Sequence, residues 1–129
     1  MGDSNVGIVL FSDVWGWDSG YVRSVADKFA SDGFTVYIPK VLPPLEGGTD
    51  DDGLPPGFDI GARQPEFAAW VVKSPWSAIK PKMEALLAYA ADKGVAVNGT
   101  IGCCWGAWAS FNLSAMCSDI KAGVAFHPS

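Results

Sequence analysis

A pair of cysteines lies at the centre of the segment IGCCWGAW (101–108). Gly102 precedes Cys104 by two residues and Gly106 follows it by two, at a point where strand-like sequence changes into helix-like sequence. A nucleophile on a sharp strand-to-helix turn needs small residues at these two positions, because strand and helix pass close together there. The helix N-terminus then favours the thiolate form of the cysteine. The spacing predicts a nucleophile elbow with Cys104 as the nucleophile.

The cysteines also have a structural interpretation, since free cysteine is among the most buried residue types. We expect Cys103 to point away from the turn into packing, and Cys117 to be structural. Three cysteines, two of them adjacent, do not form a disulfide framework. An odd number of cysteines without a disulfide framework indicates a reducing compartment, and we expect a cytoplasmic protein.

The elements that must position Cys104 alternate between strands and helices. The β-branched runs VGIVLF (6–11) and FTVYIP (34–39) are typical of buried parallel strands, and residues 21–33 between them show helical spacing. The alternation predicts an α/β fold with a parallel sheet of about four strands in one domain, 1–129. The other predicted elements are strands at 95–103 and 121–129 and helices at 64–76, 77–94 and 105–117.

Composition excludes several classes of function. The formal net charge is −5 and no basic run occurs, which argues against a nucleic-acid partner. No stretch approaches the ~20 apolar residues of a membrane span. The acidic segment GTDDDG (48–53) reads as a solvated loop, and it lacks the ligand pattern of a calcium loop. Neither glycine-rich phosphate fingerprint is present, which disfavours a flavodoxin-like binding domain. We expect no cofactor and no metal.

Three separated motifs, in this order, resemble one protein family. The segment GCCWGAW (102–108) resembles the elbow of the dienelactone hydrolases (carboxymethylenebutenolidases). VLFSDVWGWDSGYVRSVADKFASDGFTVYIP (9–39) resembles the family's first βαβ unit, and AGVAFHPS (122–129) is similar to the strand after its elbow helix. The resemblance implies the α/β-hydrolase fold with strand order 2-1-3-4. It also implies a thiol hydrolase that acts on small-molecule esters or lactones.

The resemblance implies roles for residues around the thiol. Cys104 is expected to attack the substrate, and the N–H groups of Trp105 and Val14 to bind the developing oxyanion. Asp13 stands where the family has an acidic residue that takes the thiol proton when substrate arrives. Its alternative is a capping or solvated acid in a turn.

Three further residues are expected to contact substrate or its surroundings. Trp15 and Trp17 are predicted to shape the mouth of the site. Arg63, on the loop before a helix, is a candidate to bind a substrate carboxylate, with an ordinary surface arginine as the alternative.

The family's triad consists of Cys, Asp and His, and the Asp and His follow later strands. The chain ends before either, so we expect the domain 1–129 to be incomplete at both ends. His127, the single histidine, is placed on the same sheet edge as Cys104 and is the alternative catalytic base. A second hypothesis is a non-catalytic or half-enzyme module. Its exposed last strand would pair with a partner chain or a second copy, a homo-oligomer that supplies the missing residues.

Overall fold

A computed structural model describes residues 5–45 and 53–128 of the chain, so residues 48–52 of the predicted solvated loop lie outside it. The described residues form an α/β fold whose four parallel strands follow the order β2-β1-β3-β4. The predicted fold class and strand order are therefore confirmed. The elements are β1 (Val6–Phe11), α1 (Gly20–Ser31), β2 (Thr35–Tyr37), α2 (Gln64–Val71), α3 (Trp76–Asp92), β3 (Ala96–Cys103), α4 (Trp105–Met116) and β4 (Ala122–Phe126).

The largest difference from the predicted bounds is at α2, which ends at Val71 rather than at residue 76. The N–H of Ser74 donates to the carbonyl of Val71 in a tight turn, at 3.3 Å. Pro75 follows, and a proline disfavours helical backbone in the residue before it. The same proline caps the next helix, α3, which begins at Trp76.

The register of the sheet brings three strand ends to one edge. Phe11, the last residue of β1, is opposite Gly102 near the end of β3, and Cys103 is opposite Phe126 at the end of β4. Because β2 and β3 lie on opposite sides of β1, the edge beyond β1 and β3 is the switch point at which α/β proteins bind ligands. The segments after β1, β3 and β4 therefore begin side by side.

Strand β1 is buried on both faces, as its continuous apolar sequence predicts. Val9 and Phe11 pack into the larger core, formed with α2, α3 and α4. Ile8 and Leu10 point to the opposite face and pack against α1. This alternation follows from the two-residue period of a strand. Complete burial of each such side chain contributes about 1.5–3 kcal/mol, so β1 anchors the edge that carries the candidate site.

Strand β4 is the exposed border of the described sheet. Val124 is 45% exposed and Phe126 is 57% exposed. An apolar groove of about 350 Å³ lies beside it, on the α1 face of the sheet, and Phe29, Ile101 and Val124 are among its lining residues. Within residues 5–45 and 53–128, no helix has both the length and the hydropathy to cross a bilayer.

Candidate functional site

Cys104 occupies a strained turn between β3 and α4. Its backbone has φ 56° and ψ −122°, a conformation that residues with a side chain rarely adopt. Two main-chain hydrogen bonds hold the turn. The N–H of Cys104 donates to the carbonyl of Phe126 at 2.9 Å, and its carbonyl accepts from Ala107 at 2.9 Å. Strain of this kind persists only where the surroundings enforce it, and it concentrates at functional sites.

Two glycines allow the turn to form, as the spacing predicted. A Cβ atom on Gly102 would overlap the main chain of Gly106. A Cβ atom on Gly106 would overlap the carbonyl groups of Phe11 and Ser12, at the end of β1 and just beyond it. Helix α4 therefore starts in direct contact with the end of β1, and neither glycine position has room for a side chain.

The turn places Cys104 at the N-terminus of α4. Trp105 is the first residue of this 12-residue helix, so its N–H has no acceptor within the helix. The positive end of the helix dipole favours an anion beside these N–H groups. The arrangement can therefore stabilise a negative oxygen near the Trp105 N–H.

The segment after β1 forms a second tight turn at the same edge. The N–H of Trp15 donates to Oδ1 of Asp13 at 2.8 Å, and the N–H of Gly16 donates to the carbonyl of Asp13 at 3.3 Å. Val14 is buried, and its carbonyl accepts the N–H of Leu54 at 2.8 Å. Asp13 thus caps its own turn, as its alternative interpretation as a capping acid predicted. It also lies at the sheet edge where the family resemblance leads us to expect the acidic residue that takes the thiol proton.

The environment of Asp13 changes its acidity. Burial raises the pKa of the Asp13 carboxyl above its usual value, while hydrogen bonds from the Trp15 N–H and the Tyr21 hydroxyl oppose that rise. A carboxylate with a raised pKa is a better proton acceptor than one on the surface. The geometry and the pKa direction are both compatible with a role for Asp13 as a base.

Cys103 differs from the sequence expectation. Its side chain is half-buried rather than fully packed, and it adds to the rise in the pKa of the Tyr21 hydroxyl, of which burial is the first cause. Sequence reasoning missed Tyr21. The available signal was its position at the start of α1, since a helix that follows β1 begins at the same sheet edge as Asp13.

The two tryptophans after Asp13 occupy different surroundings. Trp15 is 37% exposed. Trp17 is half-buried and lines a groove of about 270 Å³ with Arg23 of α1 and with Val36 and Ile38 at the β2 side of the sheet. A contribution to the mouth of the site stays a prediction for both residues.

Arg63 already has partners on its own segment. Its guanidinium forms an ion pair with Glu66 and lies 4.4 Å from the centre of the Phe58 ring. The hydrogen bond from Arg63 lowers the pKa of the Glu66 carboxyl. A substrate carboxylate would have to share or displace Glu66, and the substrate-binding role of Arg63 stays a prediction.

His127 immediately follows β4. The pairing of Cys103 with Phe126 places His127 next to Cys104 along the sheet edge. His127 is exposed and has φ 49°, so the backbone turns sharply directly after the strand. A role for His127 as the alternative base is compatible with this position and stays a prediction.

Comparisons with known proteins agree with the geometry. The chain matches the dienelactone hydrolase family over residues 2–129. It is 25% identical over 126 residues to the carboxymethylenebutenolidase homologs of Mus musculus and Homo sapiens, covering 97% of this chain and 47% of each relative. It is 32% identical over 125 residues to an endo-1,3;1,4-beta-D-glucanase of Zea mays, covering 97% of this chain and 36% of the relative. No solved structure gives a significant match. The chain spans about half the length of the carboxymethylenebutenolidase homologs, and over that span it belongs to the dienelactone hydrolase family.

Proposed function

We propose that this chain carries the acylation machinery of a cysteine hydrolase of esters or lactones. Cys104 is the nucleophile, and the turn between β3 and α4 is its nucleophile elbow. The observation that carries the proposal is the positive φ of Cys104, enforced between two glycines that have no room for a Cβ. Such an elbow exposes the nucleophile at the head of a helix. A buried structural thiol has no need of that strained backbone.

The first chemical step follows from the groups at this edge. The Asp13 carboxylate takes the proton of the Cys104 thiol, and the sulfur forms a bond to the carbonyl carbon of the substrate. The carbonyl oxygen becomes negative and is bound by the N–H groups of Val14 and Trp105. Collapse of this intermediate breaks the bond to the alcohol oxygen, which leaves with a proton. The product is a thioester on Cys104.

Release of the acyl group needs a base that activates water, an effect typically worth ~10²–10⁴-fold in rate. His127 is the alternative base in the described part of the chain. The family's triad histidine and aspartate would follow later strands, so we expect slow turnover by residues 1–129 alone. An activated aryl ester can still acylate the thiol, because its leaving group requires no acid and an oxyanion hole works without a complete triad.

The chemical groups at the sheet edge after β1 and β3 favour an acyl substrate over a glycoside. Glycoside hydrolysis typically uses two facing carboxyl groups. The groups that influence the Asp13 carboxyl in the described residues are instead a phenol and a main-chain N–H, those of Tyr21 and Trp15. Trp15 and Trp17 are proposed to shape the mouth for an apolar substrate, and Arg63 to attract a carboxylate on it.

The experiment is a burst assay with p-nitrophenyl acetate. Wild-type chain should release up to one equivalent of p-nitrophenol quickly and then turn over slowly. Cys104→Ser should abolish the burst, whereas Cys117→Ser is the matched control and should retain it. His127→Ala should leave the burst unchanged. A burst that survives in Cys104→Ser refutes the elbow assignment. Sustained wild-type turnover that disappears in His127→Ala would instead identify a Cys–His enzyme.

The exposed edge of β4 favours a second proposal, a half-enzyme module completed by another chain. Val124 and Phe126 are exposed on this strand, and pairing with a second copy would cover part of that apolar surface. Sedimentation at tens of micromolar should then show self-association, and Val124→Lys should shift the chain toward monomer. A wild-type chain that sediments as a monomer throughout this range contradicts pairing through β4.

A further inference from the structure

The turn after β1 is in close contact with a glycine from a distant segment, Gly53. A Cβ atom on Gly53 would lie 2.6 Å from the nitrogen of Gly16 and 2.7 Å from the carbonyl oxygen of Val14. Both are main-chain atoms, so no side-chain rotation can make room for it. Gly53 also has φ 110°, a backbone conformation that favours glycine. Position 53 therefore requires glycine for its own backbone and for its contact with this turn.

Hydrogen bonds and burial hold the segment around Gly53 against the same turn. The N–H of Leu54 donates to the carbonyl of Val14 at 2.8 Å. The carbonyl of Gly53 accepts the N–H of Leu45 at 3.5 Å. Val14, Leu45 and Leu54 are all buried in the larger core. The segment is thus fixed by its main chain and by its side chains, and it cannot move away from the turn freely.

The two main-chain groups of Val14 have different uses. Its carbonyl accepts the N–H of Leu54, while the bonds within the turn use the N–H groups of Trp15 and Gly16. None of these bonds uses the N–H of Val14, which is the proposed oxyanion donor. The carbonyl and the N–H of one residue flank the same Cα, so a fixed carbonyl restricts where the N–H points.

We propose that Gly53 is a positioning residue that, together with the Leu54 N–H, holds the Val14 N–H where the oxyanion develops. The inference rests on the proposed function, in which Val14 and Trp105 bind that oxygen. An oxyanion donor must lie about 2.7–3.1 Å from the oxygen, a range only ~0.4 Å wide. To relax from 2.6 Å to the 3.4 Å of an ordinary contact, a Cβ at position 53 would force a larger separation than that. Whichever segment moves, the bond between Leu54 and Val14 is disturbed.

The test compares two reactions of the Cys104 thiol at pH 9.5, where an ordinary thiol with a pKa of about 8.5 ionises without a base. Acylation by p-nitrophenyl acetate develops an oxyanion, whereas alkylation by iodoacetamide does not. Gly53→Ala should lower the ratio of the acylation rate to the alkylation rate by about tenfold or more. Gly57→Ala is the matched control, because Gly57 also has a positive φ, 82°, but its Cβ would meet no described atom within 4 Å. Its rate ratio should equal that of wild type.

The rate ratio also separates positioning from general damage. A ratio in folded Gly53→Ala equal to that of wild type overturns the proposal, even if both rates fall together. If Gly53→Ala does not fold, Leu54→Pro decides the question. Proline has no N–H to donate to Val14 and adds no atom at position 53. That variant should show the same fall in the ratio, and an unchanged ratio would again overturn the proposal.

Hydrogen exchange provides a readout that does not depend on ester chemistry. The N–H of Leu54 should exchange about tenfold faster or more in Gly53→Ala, because its bond to Val14 is weakened, and at the wild-type rate in Gly57→Ala. Unchanged exchange in folded Gly53→Ala contradicts the assigned contact. Faster exchange in that variant, combined with a wild-type chain that gives no ester burst, would refute the proposed hydrolase function while leaving the contact of Gly53 with the turn supported.

Discussion

Substitution of Gly106 by alanine tests whether the close contact between α4 and β1 maintains the Cys104 turn. Two effects oppose each other at this position. Alanine is the better helix former by roughly 1 kcal/mol, which would stabilise α4. The added methyl group would overlap the carbonyl groups of Phe11 and Ser12. These are main-chain atoms of the buried central strand and the residue after it, and they cannot rotate away.

The overlap should be the larger effect. Overpacking a well-packed interior typically costs about 1–3 kcal/mol, and rigid backbone neighbours favour the upper end of that range. After the gain in helix propensity, we expect Gly106→Ala to lower the free energy of unfolding by about 1–2 kcal/mol. For a chain of 129 residues that corresponds to a loss of roughly 4–8 °C in Tm. The Cys104 alkylation rate should fall as well, because α4 must move to accommodate the methyl group.

Urea unfolding followed by circular dichroism measures the change, and Gly123→Ala is its matched control. A Cβ on Gly123 would lie 3.5 Å from a methyl carbon of Thr100 on the neighbouring strand, which is an ordinary contact. That variant should be as stable as wild type within about 0.5 kcal/mol, or slightly more stable. If Gly106→Ala unfolds at the same urea concentration as wild type or a higher one, the contact does not constrain the turn.

Two further predictions concern the thiols and the pH dependence of stability. Limiting iodoacetamide followed by peptide mapping should modify Cys104 before Cys103 and Cys117, because it alone lies at a helix N-terminus; preferential labelling of another cysteine would contradict the assignment. Asp13→Asn should stabilise the fold at pH 7, since burial raises the pKa of Asp13 in the folded chain and so disfavours its charged form. That gain should fade as the pH falls through the folded pKa and vanish below the unfolded value of about 3.9; a gain that persists at pH 2.5 would point to a packing effect.

The sequence was sufficient to predict the fold because its signals are local. The apolar run of β1 and the glycines around Cys104 each reflect a constraint within a few residues of chain. The parallel order of the sheet then followed from the family resemblance. Contacts that join distant segments left no such signal. Tyr21 looks like an ordinary helix residue until the fold brings Asp13 and Cys103 to either side of it. The ion pair between Arg63 and Glu66, by contrast, spans only three residues of chain, and that spacing is visible in the sequence.

The two proposed functions are connected through β4. The carbonyl of Phe126, the last residue of this strand, accepts the N–H of Cys104 and thereby helps to hold the strained turn. Its other edge is the exposed border of the described sheet. A chain that paired along that border would order β4 and so stabilise the turn through this hydrogen bond, in addition to any residues it supplied. Acylation of Cys104 should therefore become faster with protein concentration if β4 pairs with a second copy. A burst rate per chain that is constant over a hundredfold range of concentration would contradict the proposal that a second copy stabilises the turn by pairing with β4.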